Sequence, residues 1–194
     1  VNAVNLPLQN ALNFPAAILQ PPFFDPKASD ATNYGAIGAI IGHEISHSFD
    51  DQGAQFDAQG RLRDWWTKED LAHFKAASGK LVAQYNTYKP FPDLAVNGQL
   101  TLSENLADLA GLEAAFDAYK ASAEGKSAGV EGERRFFTGF AQGWRTKMRE
   151  ASLRRIVLTD GHAPAQYRTY IVRNLDAWYQ AFDVKPGQAL YLAP

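Results

Sequence analysis

The chain has 194 residues, enough for one domain with its own core, and its acidic and basic residues nearly balance, leaving a net charge of -2. No basic stripe points to nucleic acid as a partner, and the longest apolar run, Ala36 to Ile41 with its glycine flanks, falls far short of the ~20 residues a membrane span needs. Cysteine is absent, which excludes disulfides and thiolate-bound zinc and leaves His, Asp and Glu as the side chains able to hold such a metal.

The chain opens on Val1-Asn2-Ala3 and reads as a piece of a longer protein, with nothing that assigns a compartment. Val1, Val4 and Leu6 predict an extended edge strand, and Phe14-Pro15 through Phe23-Phe24 a second extended stretch. Four prolines between Pro7 and Pro22 argue against any helix there. From Asn33 onward Ile37, Ile40, Ile41 and Ile45 recur at helical spacing among Gly and Ala, predicting a buried helix over 33–48 whose small residues permit close packing. Asp50-Asp51-Gln52-Gly53 and Asp57-Ala58-Gln59-Gly60 are turn chemistry. Thr67-Lys68-Glu69-Asp70 resembles a capping box that opens an amphipathic helix built on Leu71, Phe74, Leu81, Val82 and Tyr85.

After a Pro- and Gly-punctuated loop over 89–98, a third helix is predicted over 102–121, with Leu106, Leu109, Leu112 and Phe116 on its apolar face. A flexible polar linker is expected over 122–130, a fourth helix over 131–148, a loop over 159–164 and a last helix over 166–182. The expected class is α+β, predominantly helical, with a little sheet near the N-terminus, and residues 1–194 form one domain.

Within the first helix stands His43-Glu44-Ile45-Ser46-His47. Residues four apart share a helix face, so both imidazoles are presented to one point, and Glu44 projects beside them as a base for water at a metal. That is the physical content of the HExxH pattern, which here follows the small-residue helix it needs. A catalytic zinc takes three protein ligands, so one more is required. One zincin class places Gly and His three and six residues after the second histidine. Asp50 and Gly53 occupy those positions here, which excludes that class. His73, His162 and many acids remain, and His73 is expected at the surface.

Ser103-Glu104-Asn105-Leu106-Ala107-Asp108 is the best candidate segment, because Glu104 and Asp108 face one way on a helix whose opposite stripe is leucine. Such a pair allows Glu104 to bind metal and Asp108 to accept the outer N–H of a ligand histidine. The same residues also read as a capping box over Thr101 to Glu104 with Asp108 a solvated charge, and periodicity does not choose between these.

The strings Val1-Asn2-Ala3, Phe14 to Phe24, Asn33 to Gly38, His43 to Asp51, Asp64-Trp65-Trp66-Thr67 and Glu104 to Asp108 resemble the neprilysin and endothelin-converting-enzyme family over essentially the whole chain. The resemblance implies the C-terminal catalytic part of such a zinc metallopeptidase, a thermolysin-like zincin that works with an N-terminal lobe. The cysteine-free composition fits a bacterial member. It implies one Zn2+ per chain on His43, His47 and Glu104, with Glu44 as general base, Asp108 orienting His43 and His162 stabilising the oxyanion. Read alone, a loop histidine such as His162 is more often a surface residue, and Arg168 an ordinary helix charge. The resemblance instead gives Arg168 a substrate carbonyl. It also gives Asn2 and Ala3 the backbone of a peptide laid along the edge strand. Ile18, Phe23, Ile40 and Trp144 become an apolar cup for the residue after the scissile bond, although an apolar core would explain them too.

Overall fold

Small residues and spaced isoleucines make residues 30–46 helical throughout, as α1 (Asp30–Asn33), a π-turn (Tyr34–Gly38) and α2 (Ala39–Ser46), in a computed structural model that describes residues 1–193. The helix begins three residues before the expected start because Ser29 caps it, accepting a hydrogen bond from the Thr32 N–H. Its glycines let other backbone come close. A Cβ at Gly42 would stand 2.8 Å from Gly111 Cα, so α2 lies directly against the backbone of α4 (Leu102–Ala121). Gly35 plays the same part toward Phe136 on α5 (Gly129–Gly143), where a Cβ would meet the Phe136 Cα at 3.1 Å.

The core forms where α4 and α5 meet α3 (Lys68–Asn86) and the C-terminal helices, with Tyr85, Leu112, Tyr119, Phe136 and Ile171 almost completely excluded from solvent. The capping box at Thr67 is present: Thr67 accepts from the Asp70 N–H, and Asp70 accepts from the Thr67 N–H. Thr101 makes no such cap for α4. Its hydroxyl donates to the Asn97 carbonyl and accepts from Asn105.

Four expectations are corrected. The edge strand β1 (Val4–Leu6) pairs antiparallel with β2 (Ala11–Asn13), Asn5 opposite Leu12, so the second strand precedes Phe14. Phe14 to Phe24 instead folds as a 3-10 turn (Ala16–Ile18) and tight turns, because Pro15, Pro21 and Pro22 lack the N–H a ladder needs. The fourth helix stops at Gly143, and an unexpected α6 (Glu150–Thr159) follows. It is charged and buries only Val157 fully, so its apolar signal is faint. The last helix is three pieces, α7 (Ala165–Thr169), a 3-10 turn (Tyr170–Asn174) and α8 (Asp176–Phe182), broken where Leu175 turns extended. Residues 122–128 are ordered turns in place of a flexible linker, with Gly125 buried and the Glu124 carboxylate accepting from the Asp30 N–H. No described helix is long and apolar enough to cross a membrane.

Candidate active site

The close approach of α2 and α4 brings His43, His47 and Glu104 together at the floor of a cleft of about 560 Å³. His43 Nε2 lies 3.0 Å from His47 Nε2 and 3.2 Å from Glu104 Oε2, and His47 Nε2 lies 3.6 Å from Glu104 Oε1. Two ligand atoms of a tetrahedral zinc at ordinary Zn–N lengths stand about 3.3 Å apart, so these separations match one coordination sphere. The outer nitrogens are already taken. His43 Nδ1 lies 2.8 Å from Asp108 Oδ1 and His47 Nδ1 2.6 Å from Asp50 Oδ2, which leaves both Nε2 atoms for a metal. Glu104 Oε2 is buried with charged neighbours but no aligned hydrogen bond, the state of an oxygen awaiting a cation. The residues fit the ion.

Protonation follows from the same contacts. Burial alone would lower the His43 imidazole, but its hydrogen bond to Asp108 and its close contact with the Glu104 carboxylate outweigh that and lift it to about 9. Burial disfavours ionised Glu104, yet His162 and His43 hold it well below the ordinary carboxylate range. Asp108 and Asp50 are likewise buried but held low, Asp108 by Arg168 and His43, and Asp50 by His47, the Gly53 N–H and Ser103. Neither acid is a solvated charge: each is 3% exposed.

The other expected residues gather on the same cleft. Glu44 is buried and lines it, and its carboxylate enters none of the ion pairs that engage Glu104, Asp108 and Asp50. His162 comes from the loop before α7, with Nε2 3.1 Å from Glu104 and Nδ1 2.8 Å from Asp160. Its contact with Glu104 raises its pKa, against some burial. Arg168 is no solvated charge. It is 8% exposed, grips Asp108 through Nε and Nη2 at 2.8 and 2.7 Å, and lies under the Trp144 ring at 3.9 Å. Asn2, Ala3, Ile18, Phe23, Ile40 and Trp144 all line the cleft. Ile18 and Ala3 also pack with Ile37 in a small core of their own, with Phe23 and Ile40 against it, whereas Trp144 packs on the main core. His73 is exposed on α3, away from these groups.

Two partners escape a reading by motif. Asp50 is legible in the sequence only as turn chemistry, although an acid three residues after the second histidine is placed to reach it. Asn5 donates to the Glu44 carbonyl at 2.6 Å and to the Ser48 hydroxyl at 3.0 Å, tying β1 to the HExxH helix. Nothing in its sequence context announces that bond.

The sequence profile of peptidase family M13 matches residues 2–194. The chain belongs to peptidase family M13. It is 42% identical over 192 residues to Neprilysin-11 of Caenorhabditis elegans, which covers 94% of this chain and 23% of that one. It is also 42% identical over 194 residues to the neutral endopeptidase of Lactobacillus helveticus, covering 100% of this chain and 29% of the relative. The crystal structure of the Mycobacterium tuberculosis zinc metalloprotease ZMP1 in complex with an inhibitor superposes with a TM-score of 0.95 at 50% identity, over 100% of this chain and 31% of that one. The chain thus spans less than a third of the length of these M13 relatives. The resemblance read from the motifs and the M13 membership agree, as does the mostly helical zincin-type fold.

Proposed function

We propose that residues 1–194 are the catalytic domain of a zinc endopeptidase that hydrolyses short peptides before a large hydrophobic residue. The observation that carries this reading is the convergence of His43, His47 and Glu104 beside Glu44 on the floor of a cleft with an apolar wall. One zinc per chain would be held by those three residues, and when bound it supplies an acidified water and polarisation of the scissile carbonyl. Glu44 takes the proton as water attacks and delivers it to the leaving amine. Asp108 and Asp50 hold His43 and His47 in the tautomer that keeps each Nε2 available. His162, raised in pKa and facing the site, donates to the developing oxyanion.

The peptide lies along residues 1–3, immediately ahead of β1, with the Asn2 side chain and Ala3 carbonyl on its backbone. Arg168, already oriented by Asp108 and Trp144, donates to a substrate carbonyl. Ile18, Phe23, Ile40 and Trp144 receive the apolar side chain, and the small Ala39 and Gly143 leave that cup roomy. Partners are therefore peptides and the N-terminal lobe that the relatives' greater length provides. That same length supports a second reading, a zinc-binding fragment with little turnover until the lobe encloses the cleft. Metal analysis together with Glu44→Gln tests the proposal in the protein at the length of its relatives. Zinc should be retained at one per chain while peptide cleavage falls by at least ~10²–10⁴-fold. Cleavage within tenfold of wild type would refute the assignment of the base. Cleavage by the long protein but not by residues 1–194 would select the second reading.

A further inference from the structure

We infer that Ser103 is a positioning residue for the metal centre, acting through Asp50 to hold His47 in the same frame as Glu104. The inference rests on the reading of His43, His47 and Glu104 as zinc ligands. His47 is the weak point of that set. It stands just past the end of α2, where a helix frays, and its side chain is twice as exposed as that of His43, 18% against 9%. Its fixed contact is Asp50, and Asp50 belongs to the turn that follows the helix, so by itself it would move with that turn.

The Asp50 carboxylate is fully used. Oδ1 accepts the N–H groups of Gln52 at 2.9 Å and Gly53 at 2.7 Å, both from its own turn, while Oδ2 accepts His47 Nδ1 and the Ser103 hydroxyl. Of these four donors Ser103 comes from α4, 53 residues away in sequence and adjacent in the chain to Glu104. An ionised carboxylate only accepts, so the serine donates, and its proton direction is set. Every ligand is then referred to one helix. Glu104 is part of α4, His43 is held by Asp108 one turn further along it, and His47 is held by Asp50 through Ser103. At the second residue of α4 the hydroxyl has no preceding helical turn to bond, and one with no such task would satisfy itself on nearby backbone or on solvent. Here it reaches across to a buried acid.

The test is a double-mutant cycle on zinc affinity, measured by chelator competition in the protein at the length of its relatives, with Ser103→Ala, Asp50→Ala and the pair. Loss of an outer partner typically weakens metal binding by ~10–100-fold. Asp50→Ala should fall in that range and Ser103→Ala at its lower end, about tenfold. The pair should bind no more weakly than Asp50→Ala alone, because the serine acts only through the aspartate. Ser103→Thr keeps the hydroxyl and should keep near-wild-type affinity, which a residue that merely fills space would not require. Wild-type affinity in Ser103→Ala, or an equal loss in the Asp50→Ala background, overturns the inference while leaving the metal reading intact. A wild-type protein that takes up no zinc removes both.

Discussion

Gly111→Ala tests whether the backbone contact between α2 and α4 is what assembles the metal site. A Cβ at position 111 would stand 2.6 Å from His43 Cα, and closer still to the His43 nitrogen. Carbon atoms rest at about 3.5–4.0 Å, so α4 must move away from α2 by roughly 0.9 Å or distort. Both obstacles are backbone, so no side chain can swing aside. Overpacking of this kind costs about 1–3 kcal/mol, and a rigid obstacle puts the substitution at or above the top of that range. The displacement also separates Glu104 from the two histidines, whereas a metal site tolerates about ±0.2 Å in its ligand distances. Zinc affinity should therefore fall by more than the ~10–100-fold expected for loss of an outer partner.

Thermal unfolding of the metal-free protein reads the packing cost, and chelator competition reads the site. Gly79→Ala is the control: it lies on α3, nothing stands within 4 Å of its Cβ, and alanine favours a helix by ~0.8–1 kcal/mol over glycine. That variant should be as stable as wild type or more so, with unchanged zinc affinity. If Gly111→Ala behaves like Gly79→Ala, something other than the close approach of the two helices positions Glu104.

Asp108→Ala should weaken zinc binding and cleavage by ~10–100-fold, and it also leaves the buried Arg168 without its carboxylate, so a lower melting temperature is expected in calorimetry. A variant with wild-type zinc affinity would make Asp108 a bystander. The His43 shift predicts a pH dependence for the metal-free protein. Because the folded pKa is raised to about 9, its stabilisation is complete below 6.5 and is lost as pH rises through about 9, a fall of up to about 3 kcal/mol. Zinc requires the imidazole without that proton, so the extra stability conferred by zinc should grow over the same window. Denaturant unfolding between pH 6 and 9, with and without chelator, measures both, and metal-free stability that does not decline would refute the sign. At the acid end, Asp50 and Asp108 are held low, so their contribution is present above the ordinary carboxylate value and lost as pH falls through their lowered values.

The local chain settles those features that depend on neighbours three or four residues apart. His43 and His47 share a helix face by spacing, Thr67 and Asp70 close a capping box, and alternating Gly, Ala and Ile mark a helix that other backbone can approach. Periodicity also puts Glu104 and Asp108 on one side of α4, but it leaves open whether they are a cap and a solvated charge. That choice belongs to tertiary structure, because it depends on Arg168 and His43 arriving from 60 and 65 residues away. The break at Gly143 falls on a residue that locally disfavours a helix, whereas that at Leu175 is of the same tertiary kind, where a leucine packed in the core turns extended. So are the pairing of β1 with β2 and the bond from Asn5 to the HExxH helix, which have no sequence period to announce them. Asp50 shows the boundary most clearly. Its turn chemistry is visible in four consecutive residues, but its role beside His47 becomes visible only when α4 brings Ser103 to its second oxygen, since a buried carboxylate needs donors from several directions to stay charged.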